Sequence, residues 1–280
     1  MSLQIETADL VGPFRSPHNT ARQAAGSIHD DATATKLGFK GGTVAGSLHM
    51  DQFMPQLVEI YGADWWRKGN LSSYFRQATV HGEAVRVIVR KGEPHTHAWM
   101  ENEAGDLINE GTASCTGSDP DSELTHRLKG QATTDPGGLR ILAKNKVGDE
   151  STAPLKVTRE GLARRLETIP EALPEYAGET AYLPPSMQVA LFRGQQESIV
   201  KLASKAVGLF GAIELQAVNG PLRADVAYDG RFKILALSES PKTENIWYQA
   251  WAADPKTGED VAFMIMYLRF MKASSPLWAA

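Results

Sequence analysis

The chain has 280 residues, of which 42% are hydrophobic and 22% charged, a balance typical of a globular protein with a substantial core. Its formal net charge of -4 gives no electrostatic reason to expect nucleic acid or an anionic membrane as a partner. Cys115 is the single cysteine, which excludes an internal disulfide and fits a reducing compartment. No apolar run with a basic flank follows Met1, and no segment reaches the ~18 apolar residues of a membrane helix, so we expect a cytoplasmic protein.

The first strong pattern is a helix, predicted to begin at residue 43 or 44 and to end near residue 61. Gly41 and Gly42 precede this segment and Gly62 follows it, as is common at helix boundaries. Its apolar residues lie mostly three or four positions apart: Val44, Leu48, Phe53, Met54, Leu57, Val58 and Tyr61. This spacing predicts one buried stripe, so we expect other structure to wrap around the helix.

Strand patterns follow the helix. Residues 85–89 are rich in branched side chains, and residues 97–100 and 107–115 indicate two further strands joined by a turn at residues 104–106. From Gly117 to Ala153 the apolar periodicity is poor and turn residues are frequent. We interpret that segment as a linker with one short helix.

The second half repeats the order of the first. A helix is predicted from Pro185 to about Leu202, followed by strands at residues 212–218, 225–228, 233–238, 246–252 and 261–271. A repeat of whole supersecondary units indicates a duplicated domain. We therefore predict an N-terminal domain at residues 1–120, a linker at 121–153 and a C-terminal domain at 154–280.

Histidines are confined to the part of the chain before the second half. They are His18, His29, His49, His81, His95, His97 and His126. Proton transfer by histidine is therefore predicted in the first half, with the second half contributing packing and part of a cleft. His95 and His97 share a face of a predicted strand, but no third ligand for a metal is evident, and we predict no metal site.

The segment from Ser27 to Met50 is the most specific. Asp30 or Asp31 is predicted to cap a short helix that ends at Gly38. A glycine-rich loop then leads into the long apolar helix, whose first turn contains Gly46 and has unpaired backbone N–H groups.

This segment resembles the MaoC-like enoyl-thioester hydratases and dehydratases. The resemblance rests on His29, Asp31, Gly38-Phe39, Gly42 and Gly46, which stand at the places that match the family motif. It implies an α+β double hot-dog fold, with two antiparallel sheets each wrapped around a long central helix. A double hot dog already contains two units, so both a monomer and a homodimer are compatible with it.

The resemblance also implies a chemistry. Members of the family add or remove water at the C2–C3 double bond of an acyl thioester, so the partner would be an acyl-CoA thioester and no separate cofactor would be needed. His29 would be the general base, and the Gly46 N–H would bind the thioester oxygen. The family aspartate five residues before the histidine corresponds to Ala24, so one member of the usual acid–base pair is replaced.

Three functions therefore remain open. The first is a hydratase or dehydratase with His29 as base and Gly46 as oxyanion donor, in which Asp30 or Asp31 would compensate for the missing aspartate. His49 lies one turn after Gly46 on the same helix face and is a further catalytic candidate, expected to line the same cavity. The second is a hot-dog thioesterase that uses Asp51 or His49. The third is an acyl-CoA binding protein that has lost catalysis together with the aspartate.

Overall fold

The computed structural model describes residues 3–117, 119–131 and 136–278. Its helices are α1 (Asp31–Lys36), α2 (Gly46–Asp51), α3 (Met54–Tyr61), α4 (Trp65–Lys68), α5 (Glu123–Lys129), α6 (Arg159–Leu166) and α7 (Pro185–Arg193). Its strands are β1 (Leu10–Val11), β2 (Asn70–Phe75), β3 (Val85–Arg90), β4 (Thr96–Asn102), β5 (Leu107–Ser114), β6 (Glu150–Lys156), β7 (Gly208–Ala217), β8 (Ala227–Glu239), β9 (Thr243–Ala253) and β10 (Asp260–Met271). No helix in these described ranges is long and apolar enough to cross a membrane.

All ten strands form one antiparallel sheet, in the order β1-β3-β4-β5-β2-β7-β10-β9-β8-β6. The expectation of two separate sheets is therefore wrong. The two halves are joined edge to edge because β2 pairs with β7, in a register that places Asn70 opposite Gln216 and Tyr74 opposite Ala212. From this junction outward the strands of the two halves follow the same order, which confirms the predicted repeat of supersecondary units.

The predicted long helix is two short helices. Residues 52 and 53 separate α2 from α3, so the expectation of one continuous helix over residues 43–61 is wrong. Pro55 explains the break, because its ring nitrogen cannot donate to the Asp51 carbonyl and its ring would collide with that carbonyl. The helix predicted to extend from Pro185 to Leu202 also ends early, at Arg193, and Gly194 follows it.

Strand β2 was not predicted, because three of its buried side chains are polar. Asn70, Ser72 and Ser73 are each at most 2% exposed. The Asn70 amide donates to Glu214 Oε1 at 3.0 Å, and the Ser72 hydroxyl donates to Glu214 Oε2 at 3.0 Å. Burial raises the pKa of Glu214, and these hydrogen bonds limit the rise. The junction between the halves is thus held by a buried polar network as well as by the strand ladder.

The segment predicted as a linker contains ordered structure. Helix α5 confirms the predicted short helix, with Ser122 as its N-cap, and β6 begins at Glu150, so the boundary at residue 153 falls inside a strand. Ile141 and Leu142 are fully buried, and their amides donate to the Glu244 carboxylate. Residues 132–135 lie outside the described ranges, and the division into two domains stays a prediction.

Asp51 connects the central helices of the two halves. It is the last residue of α2, and its Oδ1 accepts the backbone N–H of Ser186 in the first turn of α7 at 2.7 Å. The side chain is buried, and Oδ2 has no hydrogen-bond partner among the described residues. Burial raises the pKa of Asp51 to about 7, and the Ser186 hydrogen bond lowers it only in part. Asp51 therefore makes a buried contact between α2 and α7, and its ionisation lowers the stability of the folded protein.

Replacing Asp51 by asparagine tests this account. The raised pKa means that the folded state holds the Asp51 proton more tightly than the unfolded state. Stability is therefore present at low pH and is lost as pH rises from about 4 to about 7, on the order of 4 kcal/mol for a shift of this size. Asp51→Asn removes this loss and can still accept the Ser186 N–H.

The measurement is urea unfolding of both proteins from pH 4 to pH 8. The free energy of unfolding of Asp51→Asn minus that of the wild type should increase from pH 4 to about pH 7 and level off above it. A difference that does not change with pH would show that Asp51 has an ordinary pKa in the folded protein.

Candidate functional site

The loop that carries His29 is held on both sides. The Asn19 side-chain amide donates to the His29 carbonyl at 2.8 Å, and the Thr43 N–H donates to the Ile28 carbonyl at 2.8 Å. Asp30 then caps α1 by accepting the Thr33 N–H at 3.0 Å, and Gly38 follows the helix with a φ of +90°. The predicted cap and stop are confirmed, with Asp30 as the capping residue. His29 therefore lies immediately before a capped helix, and hydrogen bonds on both sides restrain its backbone.

The His29 ring has one short contact, which determines its tautomer. Its Nδ1 lies 2.7 Å from the Thr43 backbone carbonyl oxygen. A carbonyl oxygen can only accept, so Nδ1 carries the proton in the neutral ring and Nε2 keeps a free lone pair. In the described part of the chain both hydrogen-bond partners of the ring belong to Thr43, since its hydroxyl is 3.5 Å from the same Nδ1. Nε2 is the nitrogen available to a ligand.

A cavity of about 530 Å³ lies beside this ring and between the two halves. From the first half it is lined by His29, Thr43, Gly46, His49, Phe75 and Thr79, among others. The second half contributes the start of β7, the end of β10, Arg193 at the end of α7 and Gln196 after it. None of the described residues that line the cavity is an aspartate or a glutamate, and Ala24 is not among them.

Gly46 is the first residue of α2, where a backbone N–H has no acceptor within the helix. It lines the same cavity as His29. A Cβ at this position would lie 2.7 Å from the Phe75 ring, so only glycine allows the ring to pack directly on the helix start. Gly46 therefore has a packing role at the start of α2 and is also part of the wall of the cavity that His29 lines.

His49 lines the cavity in a neutral form. The ring is buried, its Nε2 lies 2.7 Å from the Thr79 hydroxyl, and the Gln52 amide donates weakly to Nδ1 at 3.5 Å. Burial lowers the pKa of His49 to about 4. A histidine that stays uncharged near pH 7 is suited to orienting Thr79 and poorly suited to supplying a proton.

Asp30, Asp31 and Asp51, the carboxylates considered from the sequence, do not line the cavity. Asp31 Oδ1 accepts the Gly42 N–H at 2.7 Å, and Oδ2 pairs with the exposed Arg22 at 2.9 Å. These bonds, that to Arg22 first, hold the pKa of Asp31 below its usual range. Asp31 thus ties α1 to the glycine-rich loop.

The histidine pair at residues 95 and 97 is divided between two environments. His95 Nε2 bonds to the Asp119 carboxylate at 2.9 Å, whereas the His97 ring stacks on Trp99 with centroids 5.0 Å apart. Within the described ranges no three histidine, cysteine or acidic side chains come together in a way that could hold a metal ion.

Several residues at the site were missed from the sequence. The Thr43 carbonyl leaves no trace in a side-chain pattern, and Thr79 lies outside the strands that were predicted. Arg269 had a signal: it interrupts the otherwise apolar run of β10. Arg193 gave no such signal, because it lies in the last turn of α7, where a basic residue is common.

Comparison with known proteins supports the fold. No family model matches the chain, and no curated protein sequence matches it. Among solved structures it is similar to a MaoC-domain protein from Chloroflexus aurantiacus J-10-fl, with 12% identity, a TM-score of 0.63 and 94% of each chain covered. It is also similar to a MaoC-like dehydratase, with 14% identity, a TM-score of 0.54, and 94% of this chain and 98% of the other covered.

A third similar structure is a protein from Mycobacterium tuberculosis described as having a double hotdog fold. It is 11% identical, with a TM-score of 0.56, and the match covers 95% of this chain and 97% of the other. These likenesses extend over nearly the whole length of both partners. The chain therefore has the double hot-dog fold of the MaoC-like dehydratases, here with its two halves joined in one sheet.

Gly42 provides a test of how the His29 loop is held. A Cβ on Gly42 would overlap the His29 carbonyl oxygen and lie 3.0 Å from Asp31 Oδ1. We expect Gly42→Ala to displace the His29 backbone and to lower the free energy of unfolding by about 1–3 kcal/mol. Urea unfolding measures the change.

The matched control is Gly137→Ala, because a Cβ there meets nothing within 4 Å and the backbone is not in the left-handed region. That variant should be as stable as the wild type or slightly more stable. Equal stability of Gly42→Ala and the control would contradict the close approach of the two loops.

Proposed function

We propose that this chain is a hydratase or dehydratase that acts on an enoyl thioester of coenzyme A. One observation carries the proposal: His29, whose Nδ1 is bonded to the Thr43 carbonyl, and Gly46 at the start of α2 line the same cavity between the two halves. A base and an oxyanion donor around one space are what water addition to an enoyl thioester requires. The double hot-dog fold adds support by analogy.

His29 acts as both base and acid in the proposed reaction. Its Nε2 removes a proton from water while the water oxygen bonds to C3. The electrons of the C2–C3 double bond move toward the thioester carbonyl, and the resulting enolate oxygen is held by the Gly46 N–H. The imidazolium then returns a proton from Nε2 to C2, which completes the addition of H and OH. Dehydration is the same sequence reversed.

Thr43 takes over part of the positioning that the absent carboxylate would supply. Its carbonyl holds Nδ1–H and so keeps Nε2 directed to the cavity. A neutral carbonyl stabilises the imidazolium less than a carboxylate would, so we expect a slower reaction than with a complete acid–base pair. Substrate is the one ligand required, since coenzyme A enters as part of it.

A specific observation favours a second candidate, an acyl-CoA binding protein without catalysis. That observation is the cavity lining, in which the described residues include no carboxylate to assist His29. The thioesterase alternative has less support, because Asp51 is sealed between α2 and α7 and His49 is bonded to Thr79. A homodimer and a cytoplasmic location stay expectations.

The test is hydration of crotonyl-CoA, followed by the loss of the conjugated enoyl absorbance. We expect turnover by the wild type and a 10²- to 10⁴-fold lower kcat in His29→Ala, the usual contribution of a positioned acid–base group. His126→Ala is the matched control, because His126 is exposed on α5 and does not line the cavity. It should retain wild-type turnover.

The other outcomes separate the alternatives. Release of free thiol at the rate of substrate loss would identify a thioesterase. Binding of crotonyl-CoA without either reaction would identify the binding protein. Equal turnover by His29→Ala and the wild type would overturn the role proposed for His29.

A further inference from the structure

A turn at residues 79–83 contacts the two segments that hold His29. On one side it pairs with the glycine-rich loop, through the bridge between Val80 and Thr43. On the other side it lies against the N-terminal segment that carries Asn19. Thr43 binds the His29 ring and Asn19 binds the His29 backbone carbonyl, so the turn supports both contacts.

Asn19 is the link between this turn and His29. It is buried, and its Nδ2 donates to the His29 carbonyl at 2.8 Å. Its Oδ1 accepts the Ala21 N–H at 3.1 Å, which fixes the orientation of the side-chain amide. A displacement of the Asn19 backbone would therefore shift the His29 carbonyl.

The backbone of Asn19 is in turn held by the ring of His81. The Asn19 N–H donates to His81 Nδ1 at 3.2 Å. Only an unprotonated nitrogen can accept, so this bond requires the neutral His81 ring with its proton on Nε2, the opposite tautomer to that of His29. Protonation of His81 removes the acceptor from the Asn19 N–H.

Charged and titratable groups of both signs surround His81. The ring is exposed and lies edge to face with that of His18, with centroids 5.2 Å apart. Asp31 on α1 attracts a protonated His81, although its carboxylate is already paired with Arg22 at 2.9 Å. Glu83 is engaged within the turn itself, where it accepts a backbone N–H at 3.1 Å. Because the ring is exposed, it exchanges protons directly with the solvent.

We propose that His81 is a positioning residue for His29, and that its neutral form is the one that holds the reacting histidine in place. His81 does not line the cavity, and it acts through Asn19. This inference rests on the proposed function, in which His29 is the base. Two protonations then lower the rate at acidic pH, that of His29 itself and that of His81.

Two substitutions at the same position separate the hydrogen bond from the titration. His81→Asn keeps an acceptor, because the amide oxygen takes nearly the place of Nδ1 and does not titrate. His81→Ala removes the acceptor. His126→Asn is the matched control, because His126 is an exposed histidine of α5 and does not line the cavity.

The first measurement is kcat/KM for crotonyl-CoA from pH 5 to pH 8. At pH 8 we expect His81→Asn to match the wild type and His81→Ala to be about 5- to 30-fold lower, the loss expected for one hydrogen bond. The ratio of His81→Asn to the wild type should rise to about 5- to 30-fold at pH 5, because a protonated His81 lacks the acceptor just as His81→Ala does. His126→Asn should follow the wild type at every pH.

The second measurement needs no turnover. In ¹⁵N-labelled protein the backbone signal of Asn19 reports its bond to His81, and the side-chain amide signal reports its bond to His29. Both signals should move between pH 8 and pH 5 in the wild type, with the midpoint of the His81 ring, and stay in place in His81→Asn.

The outcomes distinguish this inference from the hydratase proposal. If no ester is hydrated but both Asn19 signals move only in the wild type, the positioning contact stands and the hydratase proposal fails. With turnover present, a ratio of His81→Asn to the wild type near one at every pH would overturn the positioning role and leave the hydratase proposal standing. Equal losses in His81→Asn and His81→Ala at pH 8, or an Asn19 side-chain signal that responds alike in both proteins, would also overturn it.

Discussion

The site depends on the hydrogen bond from His29 Nδ1 to the Thr43 carbonyl. A backbone carbonyl has no proton to give, so the bond leaves the ring one neutral tautomer, in which Nε2 keeps a free lone pair. The bond in turn depends on the loop around it. Gly42 has no Cβ, which lets that loop approach the His29 backbone, and the Thr43 N–H returns to the Ile28 carbonyl.

The cavity is lined by residues of both halves. The first half supplies His29, His49 and the start of α2, while the second supplies Arg193, Arg269 and the ends of β7 and β10. Edge-to-edge pairing of β2 with β7 sets their relative position, and the buried Glu214 network stabilises this junction.

Much of the architecture could be predicted from the sequence, because strand order and apolar periodicity survive duplication. The correspondence of β4 with β9 and of β5 with β10 followed from such patterns. The break between α2 and α3 was not predicted, because the apolar stripe continues across Pro55 whereas the helical hydrogen bonds are interrupted there. Strand β2 escaped because Asn70 and Ser72 look exposed until their partner Glu214, far along the chain, is known.

The residues of the site likewise include some that the sequence marks and some that it does not. His29 and Gly46 were found because a side-chain motif marks them. The Thr43 carbonyl was not, since any residue has a carbonyl and only the fold places this one beside the ring.

The tautomer of His29 tests the central claim most directly. It can be read from the imidazole nitrogen shifts of protein labelled with ¹⁵N-histidine, with the His29 signals assigned by their loss in His29→Gln. The account predicts a protonated Nδ1 and an unprotonated Nε2 in the neutral ring. A proton on Nε2 would contradict it, because the ring nitrogen that is not bonded to the Thr43 carbonyl would then be unable to accept a proton from water.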